Sequence, residues 1–429
     1  MKKSVLLIAL LLPLFTFCGK QPETPAPTPQ TPETPQTPEN PEVTPPAENP
    51  DDKVAKEVKD GDRILVTNEV VEKFITTIHY PERDYTYSAM KKGEEAEFLT
   101  YTTIDEETGE EKRRLYISPG KSDLPPTFTI RWPKDTESDE YTAKLWEGDW
   151  SANYTLDPDP NPEVSFGYWQ IRNLRPNATY HFEVKNGGTT VTSGTFQTYG
   201  SLHQLSFKPS STEGVRNVRD LGGWKTKEGN QSVKYRKIYR GGRPDAIKAA
   251  GVQEAKDEGI RAELDLRGQS DHLSATPFAD AEFLSPVIEE GYATMLRDDQ
   301  EKTRQCMQFI MDMVKQNKPV YFHCSLGRDR TGTVALLTLG ILGVDEGDIS
   351  KEYELTQFAP MGYSVSSGEK TRMTRLNGVD YDGAAKYLWA FGKQGDGSYL
   401  PFKDCVEKYL ISIGITAEDI STFRSNMLE

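Results

Sequence analysis

The sequence predicts a multidomain chain: an N-terminal all-β sandwich followed by an α/β domain whose mainly parallel sheet is flanked by helices. Three observations carry this. At 429 residues the chain exceeds the roughly 250 to 300 residues at which a single hydrophobic core stops growing. From 61 to 200 it is written in short β-branched and aromatic runs, such as Thr127-Phe128-Thr129-Ile130-Arg131-Trp132, broken by Gly, Pro, Asn and Asp, which is the texture of a sandwich. From 201 to 429 strand-like runs alternate with helical stripes, which predicts a parallel sheet covered by helices.

Taken in order, Met1-Lys2-Lys3 and the apolar run Val5 to Phe17 have the basic start and short apolar stretch of a secretory signal, too short to span a bilayer. The run ends at Cys18-Gly19-Lys20 and resembles a bacterial lipoprotein signal. That resemblance implies lipidation of Cys18, with the chain exported and anchored to the cell envelope. Residues 19 to 60 then read as a stalk, because 11 of the 28 prolines fall between 21 and 50 and proline at that density favours an extended, semi-rigid spacer.

Within 61–200, the stretch from Tyr168 to Val184, with Asn173-Leu174-Arg175-Pro176-Asn177-Ala178-Thr179-Tyr180 at its centre, resembles fibronectin type III domains from about 121 to 198. The resemblance makes Tyr180 the corner tyrosine whose hydroxyl ties back to the backbone. Residues 61–118 are expected to be further β-structure. In the last domain, Ala246 to Glu258 reads as a helix, Ala262 to Leu266 as a strand, and Gln300 to Gln316 as a helix with Cys306, Phe309, Ile310, Met313 and Val314 on one stripe. Pro319 to His323 is a short buried strand, Thr333 to Leu342 an interior helix, and Thr416 an N-cap before acids in a first turn.

The chemistry lies between that buried strand and the interior helix, in His323-Cys324-Ser325-Leu326-Gly327-Arg328-Asp329-Arg330-Thr331-Gly332. Backbone N–H groups in such a loop, together with the positive end of the following helix, form an anion nest. The same field favours thiolate over thiol at Cys324 and makes it a nucleophile. Arg330 can curl back and give two parallel donors to phosphoryl oxygens.

The segment resembles the C-x5-R loop of the protein tyrosine phosphatase superfamily, and more narrowly the bacterial tyrosine and lipid phosphatases, whose loop reads H-C-x-x-G-K-D-R-T-G. Chance agreement at seven specified positions is on the order of one in a million. Asn217 to Trp224, Ile238 to Arg243 and Asp265-Leu266-Arg267 extend the resemblance from about 213 to the C-terminus. It implies that Cys324 attacks phosphorus, that Arg330 binds the phosphoryl group, and that Ser325, Leu326, Gly327, Arg328 and Thr331 line the cradle, with Thr331 hydrogen-bonding the thiolate. Arg328 replaces the usual lysine, a change of geometry as well as of residue. Asp329 matches the in-loop general acid of the bacterial group; Asp298 and Asp299 are the alternatives if the acid lies on an upstream loop.

The remaining candidates read as structural. Cys306 and Cys405 lie on apolar stripes as core thiols, and His323 orients the loop. The five histidines, His79, His181, His203, His272 and His323, lack metal-ligand spacing, so no metal or cofactor is expected. Arg219, Asp220 and Arg267 are either pocket groups or members of structural ion pairs. The reading is a metal-free phosphomonoester hydrolase acting on a phosphorylated protein or small phosphomonoester, phosphotyrosine first. Inositol phosphate or phosphoinositide is the alternative, and a non-catalytic surface binding lipoprotein the outsider. A net charge of -15 argues against nucleic acid, and the acidity is concentrated upstream of the last domain: residues 1–20 carry +3, 21–60 carry -6 and 61–200 carry -9, leaving 201–429 at -3.

Overall fold

The computed structural model describes residues 56–77, 99–104, 111–116, 124–133, 140–156, 166–207, 215–278, 280–359, 372–373 and 381–429. Cys18 and residues 19–55 of the expected stalk lie outside the described residues. Residues 56–60, read from the sequence as the end of the stalk, instead enter the first sheet, with Lys56–Glu57 in a strand and Val58 buried in the sandwich core. The residues from Pro50 to Glu429 form one compact unit.

Two sheets face each other across a shared core in the N-terminal half. The first is ordered β1 (Lys56–Glu57), β5 (Phe128–Pro133), β8 (Phe166–Ile171). The second is ordered β2 (Arg63–Leu65), β10 (Thr189–Tyr199), β9 (Thr179–Asn186), β6 (Tyr141–Glu147), β7 (Trp150–Leu156). Strand β6 alternates buried and exposed residues along most of its length, the period-2 pattern of a sheet wet on one face. Phe128, Ile130, Trp132, Trp169 and Ile171 of one sheet meet Tyr141, Leu145, Tyr180, Phe182, Val184 and Phe196 of the other. Gly187 and Gly188, both at positive φ, close the β9–β10 hairpin in the twist that two-residue turns prefer. The Tyr180 hydroxyl accepts the Arg175 N–H at 2.9 Å.

The segment between β2 and β5 corrects the sequence reading. Residues 69–77, expected as β-structure, form helix α1 (Glu69–Thr77). The Asn68 side chain accepts the Val70 N–H at 3.0 Å, as an N-cap does, and Val71, Phe74 and Ile75 recur at helical spacing. All three are buried in the core of the C-terminal half, where Phe74 meets Phe358 at 5.2 Å between ring centres and Lys351 donates to the Ile75 carbonyl at 3.1 Å. Strands β3 (Leu99–Ile104) and β4 (Glu111–Tyr116) form a hairpin whose third strand is β16 (Arg372–Met373). The N-terminal half therefore contributes both a helix and sheet partners to the C-terminal half.

That half is built on a five-stranded sheet, ordered β11 (Arg219–Asp220), β12 (Ile238–Gly241), β15 (Val320–His323), β13 (Ala262–Asp265), β14 (Glu282–Leu284). Every pairing except β11–β12 is parallel. Around it lie α2 (Ala249–Asp257), α3 (Tyr292–Asp298), α4 (Gln300–Lys315), α5 (Asp329–Leu342), α6 (Glu346–Glu354), α7 (Tyr381–Ala390), α8 (Phe402–Ser412) and α9 (Ala417–Met427). Helix α5 is buried from Thr331 to Leu342. Thr416 caps α9 by accepting the Asp419 N–H at 3.0 Å. Cys306 and Cys405 are buried free thiols; burial pushes the Cys306 thiol far up and, aided by Asp404, that of Cys405 to about 11.

One arginine makes several of the contacts between the halves. Arg236 donates to Glu147 at 2.7 Å and to the Tyr180 hydroxyl at 3.0 Å on the N-terminal side, and to Glu258 at 3.2 Å on its own side. Its guanidinium lies over the Trp150 ring at 4.2 Å, and the Trp150 N–H donates to the Asp257 carbonyl at 2.9 Å. Burial opposes the Arg236 charge, but the surrounding phenols and carboxylates more than offset it and hold it fully protonated.

Because α1 completes the C-terminal core, Phe74→Ala is expected to cost about 3–5 kcal/mol of stability in the full chain. Urea unfolding followed by a probe in the C-terminal half checks this; an unchanged midpoint would show that α1 is not an integral part of that core.

Candidate active site

Strand β15 ends at His323, the chain turns through 324–328, and α5 begins at Asp329. Cys324, only 2% exposed, lies at the base of the turn. The backbone is held from outside. The Asn217 amide donates to the carbonyls of Leu326 and Gly327 at 3.2 and 3.0 Å, Arg240 donates to the Gly327 carbonyl at 2.6 Å, and the Arg243 N–H reaches the Ser325 carbonyl at 3.2 Å. Gly327 has φ of +71°, and a side chain there would collide with Gly241, so both the conformation and the space require glycine. Among the described residues the N–H groups of Ser325, Leu326, Gly327 and Arg328 have no protein acceptor. With the first amides of α5, which a helix never satisfies internally, they make a run of uncommitted donors beside the thiol.

The clamp has its own support. Glu352 on α6 takes the Arg219 Nε at 2.7 Å on one oxygen and the Arg240 Nη1 at 2.5 Å on the other, with all three side chains buried. Arg219 also donates to the Asn217 side chain, which fixes the amide that grips the loop. On the other flank the His323 ring contacts Glu263 at 2.8 Å and the Cys324 carbonyl at 3.3 Å, so it orients the loop as expected from the sequence.

Arg330, in the first turn of α5, donates to the Ile288 carbonyl at 2.8 Å. Among the described residues the Thr331 hydroxyl is buried without a partner. Asp329 receives the Tyr292 hydroxyl, together with the Arg328 Nε at 2.6 Å and Nη2 at 3.2 Å. The Tyr292 and Tyr353 hydroxyls are 2.6 Å apart. Tyr292 has φ of +58°, an uncommon conformation for a bulky residue, and its N–H is held by the Thr333 hydroxyl at 2.6 Å. Burial, then Tyr353 and Asp329, push the Tyr292 phenol far above its ordinary range, so it remains a donor. For Arg328, burial works against the charge and Asp329 more than offsets it.

The sequence-predicted residues thus separate. Cys324, Gly327, Asp329, Arg330 and Thr331 come together at the strand-to-helix turn. Ser325 donates its hydroxyl to Asp271, and Leu326 is exposed at the rim. Arg328 turns its fork onto Asp329 rather than leaving it open to the cradle, because the adjacent carboxylate is the nearest partner. Asp298 ends α3, about 9 Å along the axis from Tyr292. It is exposed and bidentate with Arg297, which holds its carboxyl below the usual range, and it is not among the residues that line the cavity beside the turn. Asp299 pairs with Lys302 at 3.1 Å. Arg219, Asp220 and Arg267 are all structural: Asp220 meets His203 at 3.1 Å, and Arg267 is shared by Asp265 and Asp245, both at 2.9 Å. Asn217 was legible only as part of a longer resemblance; Tyr292, Tyr353 and Glu352 carried no signal in the sequence. Among the described residues no cluster of three or more His, Cys, Asp or Glu could hold a metal ion. A cavity of about 300 Å³ opens beside the turn, lined by Glu289 to Thr294 with Asp329 and Arg330.

A thiol beside uncommitted donors at a strand-to-helix turn, followed six residues on by an arginine, agrees with the family comparison: the model of the tyrosine phosphatase family matches residues 210–429. The chain belongs to the tyrosine phosphatase family. A Cupriavidus necator protein carrying a provisional tyrosine-protein phosphatase name is 29% identical over 175 residues, which is 35% of this chain and 62% of that protein. A tyrosine-protein phosphatase of Nostoc commune is 33% identical over 81 residues, 19% of this chain and 27% of its own length. The chain therefore spans less than two thirds of either relative. Among solved structures, TpbA of P. aeruginosa is 18% identical, covering 30% of this chain and 75% of its own, with a TM-score of 0.23. Tk-PTP in its active form is also 18% identical, covering 29% and 81%, with a TM-score of 0.23.

If Glu352 holds the tyrosine phosphatase loop through Arg219 and Arg240, Glu352→Ala leaves two buried guanidinium groups short of a partner and is expected to cost about 3–5 kcal/mol. Chemical denaturation checks this, and a loss under about 1 kcal/mol would show the network to be dispensable.

Proposed function

We propose that this chain hydrolyses phosphomonoesters through a cysteinyl-phosphate intermediate, with phosphotyrosine as its leading substrate. The observation that carries the reading is the turn over Cys324, whose carbonyls are bonded away from the thiol while its amides stay uncommitted. Bound phosphoryl oxygens would satisfy those amides and the fork of Arg330. The Cys324 sulfur attacks phosphorus, the bond from phosphorus to the leaving oxygen breaks, and protonated Asp329 gives its proton to that oxygen. Water then attacks phosphorus and passes a proton back to Asp329. The phosphorus–sulfur bond breaks, phosphate leaves, and Cys324 departs as thiolate with the buried Thr331 hydroxyl available to donate to it.

Asp329 is preferred over Asp298 and Asp299 because it stands on the loop itself and Tyr292 and Arg328 fix its orientation. No step needs a metal or cofactor. The rest of the chain fits an exported enzyme: a lipoprotein-like signal ending at Cys18, a proline-rich spacer, and a fibronectin type III-like sandwich supported by the facing sheets and the Tyr180–Arg175 bond. On this reading the chain is tethered to the cell envelope and meets phosphorylated proteins or small phosphomonoesters there.

Phosphate release from p-nitrophenyl phosphate and a phosphotyrosine peptide tests the reading. Wild type is expected to turn over both and Cys324→Ser neither; equal release by the two would sink the mechanism. Asp329→Asn is expected to remove the fall in rate at high pH, since no titrating acid remains to lose its proton, whereas Asp298→Asn retains that fall. Tyr292→Phe is expected to lower kcat roughly tenfold with little change in KM, as measured by steady-state kinetics; an unchanged kcat would remove Tyr292 from the positioning of Asp329.

A further inference from the structure

The segment joining β14 to α3 wraps around Arg330. The Ile288 carbonyl takes its guanidinium at 2.8 Å, and a Cβ on Gly291 would meet the Arg330 N at 2.9 Å. Glu289 and Glu290 are the two residues between these contacts. Both are exposed, and both line the cavity that Asp329 and Arg330 share. Glu289 is fixed in place: its carboxylate accepts the Gln269 N–H at 2.8 Å and packs on Gly268. Among the described residues neither carboxylate has a cationic partner.

The cations nearby are already committed. Arg328 is engaged by Asp329, Arg243 by Asp245, and Arg267 by Asp265 and Asp245. On the Ser325 side the rim carries Asp271, 4.0 Å from Arg243 and bonded to the Ser325 hydroxyl. Among the described residues Arg330 is the one cation lining the cavity, and its guanidinium donates to the Ile288 carbonyl. The site can neutralise one phosphoryl group, through Arg330 and the loop amides. A second anionic group on the same substrate would instead face the unneutralised carboxylates that line the same cavity.

Resting on the phosphatase reading above, we infer that Glu289 and Glu290 act as a charge filter at the mouth of the site, selecting phosphotyrosine segments flanked by Lys or Arg and rejecting polyanionic phosphates. Like charges at this range disfavour an acidic neighbour and opposite charges favour a basic one, by on the order of tenfold in total at low salt. The preference weakens as salt screens the exposed carboxylates.

The test uses the full chain and two phosphotyrosine peptides that differ only in flanking Lys or Glu, with p-nitrophenyl phosphate as a substrate lacking flanks and inositol hexakisphosphate as the polyanion. At low salt, kcat/KM is expected to be about tenfold higher for the Lys-flanked peptide. The double variant Glu289→Gln, Glu290→Gln is expected to bring the two peptides within about twofold while leaving p-nitrophenyl phosphate turnover unchanged. Equal use of the two peptides by wild type, a preference that survives in the double variant, or faster release from inositol hexakisphosphate would overturn the filter. Calorimetric binding of the same peptides to Cys324→Ser decides the charge preference without turnover. A protein that leaves p-nitrophenyl phosphate intact yet binds the Lys-flanked peptide more tightly would refute the hydrolytic reading and keep the filter; turnover without any peptide preference would do the opposite.

Discussion

A single buried carboxylate holds the site in shape. Glu352 divides its two oxygens between Arg219 and Arg240, and those arginines in turn fix Asn217 and the Gly327 carbonyl. Two guanidinium groups in a nearly dry interior are tolerable only when hydrogen bonds take up most of their protons. Here the acceptors include the Gly327 carbonyl of the loop and the carbonyls of Asn217 and Glu352. The charge that must be satisfied and the backbone that must be oriented thus solve each other's problem. The result is preorganisation: the loop's donors are aimed before any anion arrives, so little reorganisation is left when one binds.

The same logic extends outward through α6. Glu352 is carried by a helix whose neighbour Lys351 is tied to the Ile75 carbonyl of α1, and Phe74 packs on Phe358 just beyond. The support of the loop therefore passes from α6 into a segment that comes from between strands of the N-terminal sheets. On the opposite side, Arg236 connects the Tyr180 hydroxyl to Glu258. The tyrosine whose hydroxyl accepts the Arg175 N–H also accepts a hydrogen bond from Arg236 of the other half, so one hydroxyl serves two structural purposes.

What could be read from the sequence was what depends on local residue type. Cys324, Gly327, Arg330 and the helix that follows are legible because a strand-to-helix turn around an anion needs a positive-φ glycine, a thiol and an arginine at set spacing. The parallel sheet and the stripe on α4 are legible because periodicity is a local property. Helix α1 was not, since Val70-Val71 and Ile75-Thr76-Thr77 are β-branched and only burial against residues far away selects the helix. Glu352 was hidden for the same reason: its two arginines lie 133 and 112 residues from it in sequence. Tyr292 was hidden differently, because nothing in Gly291-Tyr292 announces that the tyrosine rather than the glycine takes the left-handed conformation.

The seating of α1 has a consequence for how the chain acquires its structure. The bond from Lys351 to the Ile75 carbonyl spans 276 residues, and β2 pairs in parallel with β10 across more than a hundred. During vectorial synthesis α1 emerges long before Lys351 and Phe358, so the contacts they make with Ile75 and Phe74 cannot form until α6 and the residues just after it are made. Such long-range closure is slow, because loop entropy is lost before the contact is gained. Until those contacts close, the apolar face of α1 lacks its partner, and such an interval is one in which a chain is open to aggregation and proteolysis.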